Sequence, residues 1–371
     1  MKKVLVVFGT RPEAIKMAPL INKIKAVEDL EIRVCVTAQH REMLDTVLEL
    51  FDIAPDFDLN LMRKQQNITY ITVEVLKQLG EILRRERPDL VLVHGDTTTT
   101  MAAALASFYE QIPVGHVEAG LRSGNIYSPY PEEMNRRITG NIASLHFAPT
   151  AGNRDNLLKS GVREEQIFVT GNTVIDALYL AVKDNYHFSN PLLNEIDYDN
   201  KKVILMTAHR RENWGAPMRN IFLAVQSILT SNLDVELLFP VHMNPAVKDL
   251  ANEIFMHTPN AHIITPLDYE PFVNLMARSY LVLTDSGGIQ EEAPALGKPV
   301  LVLRTETERP EAVEAGTVKV VGINKDEVMR FTQELLENKV AYDSMAKAVN
   351  PYGDGRASER IVSYIEKWLF N

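Results

Sequence analysis

Short apolar runs alternate along the chain with longer stretches in which apolar residues recur every three or four positions. Residues 4–8 are continuously apolar and stop at Gly9-Thr10-Arg11-Pro12-Glu13, after which Ile15, Ala18, Ile21 and Ile24 follow at helical spacing. Thr10 and Glu13 stand at capping-box spacing and Pro12 suits a first helical turn, so the pattern predicts a strand, a loop and a helix N-terminus in that order. Further strands are predicted at 32–37, 89–93, 113–117, 145–148 and 167–170, with helices from about Glu42, over 71–87 and over 101–108. Residues 171–200 read as a connection with one helix and a polar stretch. The pattern then resumes with strands at 203–207, 235–241, 263–264, 280–283 and 299–303 and ends in an amphipathic helix over 358–369. Continuous apolar strands between helices indicate parallel sheets covered on both faces, whose ligands bind beyond the carboxyl ends of the strands. A chain of 371 residues exceeds one ordinary core. The expected architecture is therefore α/β, two doubly wound parallel-sheet domains over 1–170 and 171–355 with a cleft between them.

Composition narrows the class. A net charge of −10 with no basic tract disfavours a nucleic-acid partner. The single cysteine, Cys35, lies in an apolar run and reads as a buried structural thiol. No apolar stretch is long enough to span a bilayer and no cleavage-site pattern opens the chain, so no membrane partner and a cytoplasmic location are expected.

The candidate chemistry lies at the predicted strand ends. The run 281–292 ends a strand at Asp285-Ser286-Gly287-Gly288 and starts a helix at Ile289. Such a turn offers backbone N–H groups to a phosphate, and adjacent glycines let the backbone approach it. Glu292, one turn further in, is placed to reach ribose hydroxyls. Arg11, Lys16, Arg210, Arg211 and Arg309 join that turn as cations suited to a diphosphate. Neither Gly-x-x-x-x-Gly-Lys-Ser nor a Gly-x-Gly-x-x-Gly after the first strand is present, which disfavours ATP hydrolysis and NAD binding, and no cofactor is expected. Asp96, Glu118 and either Glu132 or Glu133 follow strands or lie in the long, turn-rich loop 123–135, where carboxylates beside a sugar do acid–base work or bind hydroxyls. His94, His116, His209 and His242 also end or follow strands. Their spacing gives no metal-ligand motif, and His209, beside Arg210, reads as a donor to a phosphate or sugar oxygen.

Taken in order, Thr10-Arg11-Pro12-Glu13-Ala14-Ile15-Lys16, His94-Gly95-Asp96-Thr97-Thr98, His116-Val117-Glu118-Ala119-Gly120-Leu121-Arg122, Pro131-Glu132-Glu133, His209-Arg210-Arg211-Glu212-Asn213, Asp285-Ser286-Gly287-Gly288 and Glu308-Arg309-Pro310 closely resemble the non-hydrolysing UDP-N-acetylglucosamine 2-epimerases of bacteria. The resemblance implies a GT-B-like fold, with the C-terminal helix (356–371) crossing back to the first domain, and interconversion of UDP-N-acetylglucosamine and UDP-N-acetylmannosamine through loss and re-addition of UDP. It implies a UDP site of Arg11, Phe272, Ser286, Gly287, Gly288, Glu292 and Arg309, with Phe272 beside the uracil. Lys16, Asp96, Glu118, Glu132 and His209 would surround the sugar and diphosphate. It further implies a homodimer and a regulatory UDP-N-acetylglucosamine site at Gln39, His40, Gln66, Glu132, Arg210 and His242. Some family members carry Arg-Gln where this chain has Gln65-Gln66, which removes one phosphate partner. The competing readings are a GT-B glycosyltransferase sharing the nucleotide site, a catalytically silent sugar-nucleotide sensor, and a hydrolysing epimerase that releases N-acetylmannosamine.

Overall fold

The structure is a computed structural model that describes residues 1–38, 41–63 and 66–371. Among these residues, thirteen strands form two all-parallel sheets. The first contains β1 (Lys2–Phe8), β2 (Leu30–Val36), β3 (Phe57–Asp58), β4 (Leu90–His94), β5 (Val114–Val117), β6 (Leu145–Ala148) and β7 (Ile167–Val169), in the order β3-β2-β1-β4-β5-β6-β7. The second contains β8 (Lys202–Thr207), β9 (Val235–Pro240), β10 (Ala261–Ile264), β11 (Leu281–Thr284), β12 (Val300–Val302) and β13 (Val318–Val320), in the order β10-β9-β8-β11-β12-β13. Two compact units result, Met1–Tyr179 with Tyr352–Asn371, and Leu180–Pro351. Each is a Rossmann-type doubly wound α/β fold, the pair that characterises GT-B-like chains. In each, the strand order reverses once beside the first strand of the sheet, between β1 and β4 and between β8 and β11. The carboxyl ends flanking such a reversal are where open α/β sheets hold ligands.

The central strands are apolar throughout because helices cover both faces of each sheet. Val4, Leu5, Val6, Val7 and Phe8 are wholly buried, as are Leu90 to Val93 and Leu281 to Leu283. Two edge strands escape the apolar reading: β3 is two residues long, and β13 is Val-Lys-Val with a half-buried lysine at its centre. The helix expected over 71–87 runs Ile68–Glu86, opened by the Asn67 side chain accepting from Tyr70 N at 2.8 Å and closed by Arg87 in the left-handed region (φ 46°). The loop expected over 123–135 is shorter, since a helix, Glu132–Ile142, begins inside it. The C-terminal helix Ala357–Phe370 packs on helix Arg11–Lys25. Asp176 caps it, accepting from Ala357 N at 3.1 Å and Ser358 N at 2.7 Å. Cys35 is fully buried, and burial pushes its thiol up to about 12, as a structural residue requires. Among the described residues no helix is long and apolar enough to cross a membrane.

Candidate active site

The reversal of the first sheet is organised by Glu13. Its side chain is 2% exposed and accepts from Gly9 N (3.1 Å), Thr10 N (2.8 Å), Thr10 Oγ1 (2.7 Å), Thr97 Oγ1 (2.7 Å) and Thr100 Oγ1 (3.2 Å). The capping box read from the sequence thus also ties the loop after β1 to the loop after β4. Gly9 is required there, because a Cβ would sit 2.1 Å from Thr37 Oγ1 and 2.7 Å from Thr99 Oγ1. Arg11 is the first residue of its helix, half-buried and in no ion pair among the described residues.

Lys16, one turn further along, forms an ion pair with Glu118, which follows β5. Glu118 Oε1 also accepts from Asn172 Nδ2 at 3.0 Å, and Oε2 lies 3.5 Å from His94 Nε2. Glu118 adopts a left-handed backbone (φ 62°), a costly conformation for a residue with a side chain and one that recurs at functional sites. Asp96 follows β4 and receives Arg136, whose Nη2 and Nε stand 2.7 and 2.9 Å from Oδ2. Arg136 was not singled out from the sequence, although its place four residues after Glu132 puts it on the same helix face.

Glu132 and Glu133 differ in burial. Glu133 is fully buried and accepts from Ser123 N (2.9 Å) and Arg137 Nε (3.0 Å), with Arg136 Nη1 at 3.4 Å. Burial pushes its carboxyl up, but the Ser123 N–H and the two guanidinium groups outweigh that and hold it below the ordinary value. Glu133 therefore supports the loop. Glu132, half-buried at the start of the helix, remains the candidate for chemistry.

The reversal of the second sheet is built around Asp285, wholly buried after β11. Its Oδ2 accepts from His209 N (2.8 Å) and Arg210 N (2.9 Å), and Oδ1 lies 3.0 Å from His209 Nδ1. Burial raises this carboxyl too, but the His209 ring and the two backbone N–H groups outweigh it and keep it below the usual range. The contact sets the His209 ring, leaving Nε2 as its other polar atom. The His242 ring stacks beside it, centroids 6.2 Å apart at 22°, and Arg210 Nε reaches Asp285 O at 3.3 Å.

In the following turn, Ser286 N donates to Thr284 Oγ1 at 2.9 Å. The N–H groups of Gly287 and Gly288 donate to nothing among the described residues. The Arg309 guanidinium lies against the turn, since a Cβ on Gly287 would stand 3.7 Å from its Nη2, and Arg309 is itself ion-paired with Glu291. Glu292, 8% exposed, accepts from Tyr269 Oη at 3.0 Å. Phe272 is half-buried three residues after Tyr269 on helix Tyr269–Arg278, an adjacent position on one face. Arg211, read as a phosphate cation, is exposed and lies over the Trp214 ring, 5.9 Å from its centroid. Of the residues implied for a regulatory site, Gln39 and His40 lie outside the described residues, as does Gln65; Gln66 is half-buried in the first unit, and Arg210 and His242 border His209.

The strand-end histidines divide into two sets. His209 and His242 line the second reversal, whereas His94 and His116 are buried side chains of β4 and β5, with His146 opposite His116 on β6. Burial lowers His94 and His116 to about 4 and His146 to about 3, so all three fold neutral. Their contribution is full above the unfolded value of 6.5 and is lost as pH falls from there through about 4, because the unfolded chain takes up the protons first. Urea midpoints measured from pH 7 to pH 4.5 should therefore fall steeply, and the H146Q variant should fall less than the parent.

A family model described as UDP-N-acetylglucosamine 2-epimerase matches residues 22–366. The UDP-N-acetylglucosamine 2-epimerase of Bacillus subtilis is 54% identical, covering 100% of this chain and 95% of its own. That of Escherichia coli K12 is 54% identical, covering 98% of each. The crystal structure of UDP-GlcNAc 2-epimerase from Neisseria meningitidis bound to UDP-GlcNAc superposes with a TM-score of 0.88 at 49% identity, covering 98% of this chain and 100% of that one. With a family match over nearly its whole length and relatives above half identity end to end, the chain belongs to the UDP-N-acetylglucosamine 2-epimerase family.

Proposed function

We propose that the protein is a non-hydrolysing epimerase that interconverts UDP-N-acetylglucosamine and UDP-N-acetylmannosamine. The observation that carries this reading is the Lys16–Glu118–Asn172 cluster, with Asp96 and its Arg136 at the neighbouring strand end. Transfer of a sugar to an acceptor has no use for a set of carboxylates held ready for proton transfer at C2. The nucleotide is assigned to the Ser286–Gly288 turn with Arg309 against it, Glu292 on the ribose and Phe272 beside the uracil.

The C2 hydrogen is not adjacent to a carbonyl, so its removal needs help. In the proposed reaction the C1–O bond breaks and its electron pair leaves with UDP. A carboxylate takes the C2 proton, and the C2–H electron pair becomes the C1=C2 bond of 2-acetamidoglucal. A second, protonated carboxyl group then gives its proton to the opposite face of C2, the C1=C2 electron pair forming the new C2–H bond while the UDP oxygen supplies the pair of the new C1–O bond. Arg11 and Arg309 stabilise the departing diphosphate, and Asp96, Glu118 and Glu132 are the proton carriers. His209, oriented by Asp285, is a donor to the leaving oxygen. The same reading includes a homodimer in the cytoplasm, activation by a second UDP-N-acetylglucosamine near Gln66, Arg210 and His242, and supply of N-acetylmannosamine units to surface polysaccharide.

Incubation with UDP-N-acetylglucosamine in deuterated water, followed by NMR, tests it. Deuterium at C2 of both sugar nucleotides, with no lasting release of UDP, is expected. Transfer to an acceptor without exchange would instead identify a glycosyltransferase, tight binding without turnover a sensor, and accumulating UDP with free N-acetylmannosamine a hydrolysing enzyme.

A further inference from the structure

The geometry points to His94 as a positioning residue for Glu118, its ring donating from Nε2 to carboxylate oxygen Oε2 while Lys16 and Asn172 hold Oε1. This rests on the reading that Glu118 handles the C2 proton. His94 ends β4 and is 3% exposed, yet neither ring nitrogen has a hydrogen-bond partner among the described residues. A buried polar ring with two unmet nitrogens is destabilising relative to an apolar side chain of the same size, so its presence needs a reason. Its Nε2 stands 3.5 Å from Oε2, within a small rotation of the carboxylate from a bond. The backbone is shaped to the same oxygen. Gly95 turns into the left-handed region (φ 66°), and a Cβ there would sit 3.3 Å from Oε2. Glu118 itself is left-handed, which aims its carboxylate into that slot.

Among the described residues, the charged and titratable groups beside the pair are Lys16 from helix Arg11–Lys25 and His116 from β5, with Arg122 acting on His116. His116 is turned away, its Nε2 on Gly95 O at 2.7 Å. Lys16 already supplies a full positive charge to Glu118. A neutral imidazole fixes the second oxygen without a second full charge, which would make the carboxylate a poorer proton acceptor.

The test compares H94Q with H94N. The glutamine amide nitrogen reaches the place of Nε2, whereas that of asparagine reaches only the place of Nδ1. For C2 deuterium exchange, H94N should lose about tenfold or more in kcat with KM within about threefold, and H94Q should stay within about threefold of the parent. Losing a donor raises a carboxylate, so the acid limb of the pH profile should move up in H94N and not in H94Q. Independently of turnover, 13C-labelled glutamate NMR, with Glu118 assigned from E118Q, should show the same upward move. If H94N does not fold, H94L fills the volume without a donor and carries the same expectations. Parent-like exchange and titration in H94N, or equal impairment of H94N and H94Q, would overturn the positioning role. A parent enzyme with no C2 exchange, but a Glu118 titration that responds to H94N and not to H94Q, would reject the proposed function and leave the positioning intact.

Discussion

Replacing Glu118 by glutamine is expected to reduce C2 exchange about a thousandfold or more while UDP affinity changes by less than about threefold. The carboxylate is 9% exposed, held by Lys16 and Asn172, and set in a backbone conformation that only a fixed surrounding maintains. Glutamine keeps the shape and one oxygen for Asn172 but accepts no proton at the pH of turnover. It also removes the Glu118 charge from beside the Lys16 ammonium, 16% exposed, so a modest loss of thermal stability should accompany the loss of rate. Because Glu118 is not among the assigned UDP groups, which apart from Arg11 belong to the unit Leu180–Pro351, binding measured by calorimetry should be nearly unchanged. Retention of more than about a tenth of the parent kcat would remove Glu118 from the proton-transfer roles. E133Q is the contrast: it weakens the contacts to Ser123 and Arg137, and its effect should fall on stability before chemistry.

Replacing Glu13 by alanine should cost about 3–5 kcal/mol of folding stability, read as a lower urea midpoint and melting temperature. Four donors converge on this one side chain at 2.7 to 3.1 Å, the N–H groups of Gly9 and Thr10 and the hydroxyls of Thr10 and Thr97. Alanine would leave the N–H groups of Gly9 and Thr10 and the hydroxyl of Thr10 facing a void, whereas Thr97 and Thr100 keep each other and His94 O as partners. The loops after β1 and β4 are joined through this carboxylate, so activity should fall with stability even though Glu13 has no assigned contact with substrate. Glutamine at the same position keeps an acceptor and should cost less. A loss below about 1 kcal/mol for the alanine variant would mean that water replaces the side chain and the loops do not depend on it.

Much of this was legible because it is local. The capping box at Thr10 and Glu13, the strand-to-glycine turn at Asp285–Gly288 and the apolar runs of β1, β4 and β11 each express a rule that operates within a few residues. The reading failed where the local signal is faint or shared. β3 is too short to show a period, and the alternating Val-Lys-Val of β13 lacks the continuous apolar run. His94 and His116 could not be told from His209 and His242, because all four follow the same kind of strand and differ only in what later packs over them.

The amino-acid sequence by itself determined the alternation of strand and helix, the turns suited to a phosphate, and, through an ordered set of short motifs, the family. Only the tertiary structure decided which of those residues act together. Lys16 meets Glu118 across 102 positions of sequence and Arg136 meets Asp96 across 40, while Glu133 is withdrawn into the core and Glu132 is left at the helix start. The reason is that periodicity records which face of an element is buried, whereas strand order, here β4 beside β1 and β11 beside β8, sets which strand ends become neighbours.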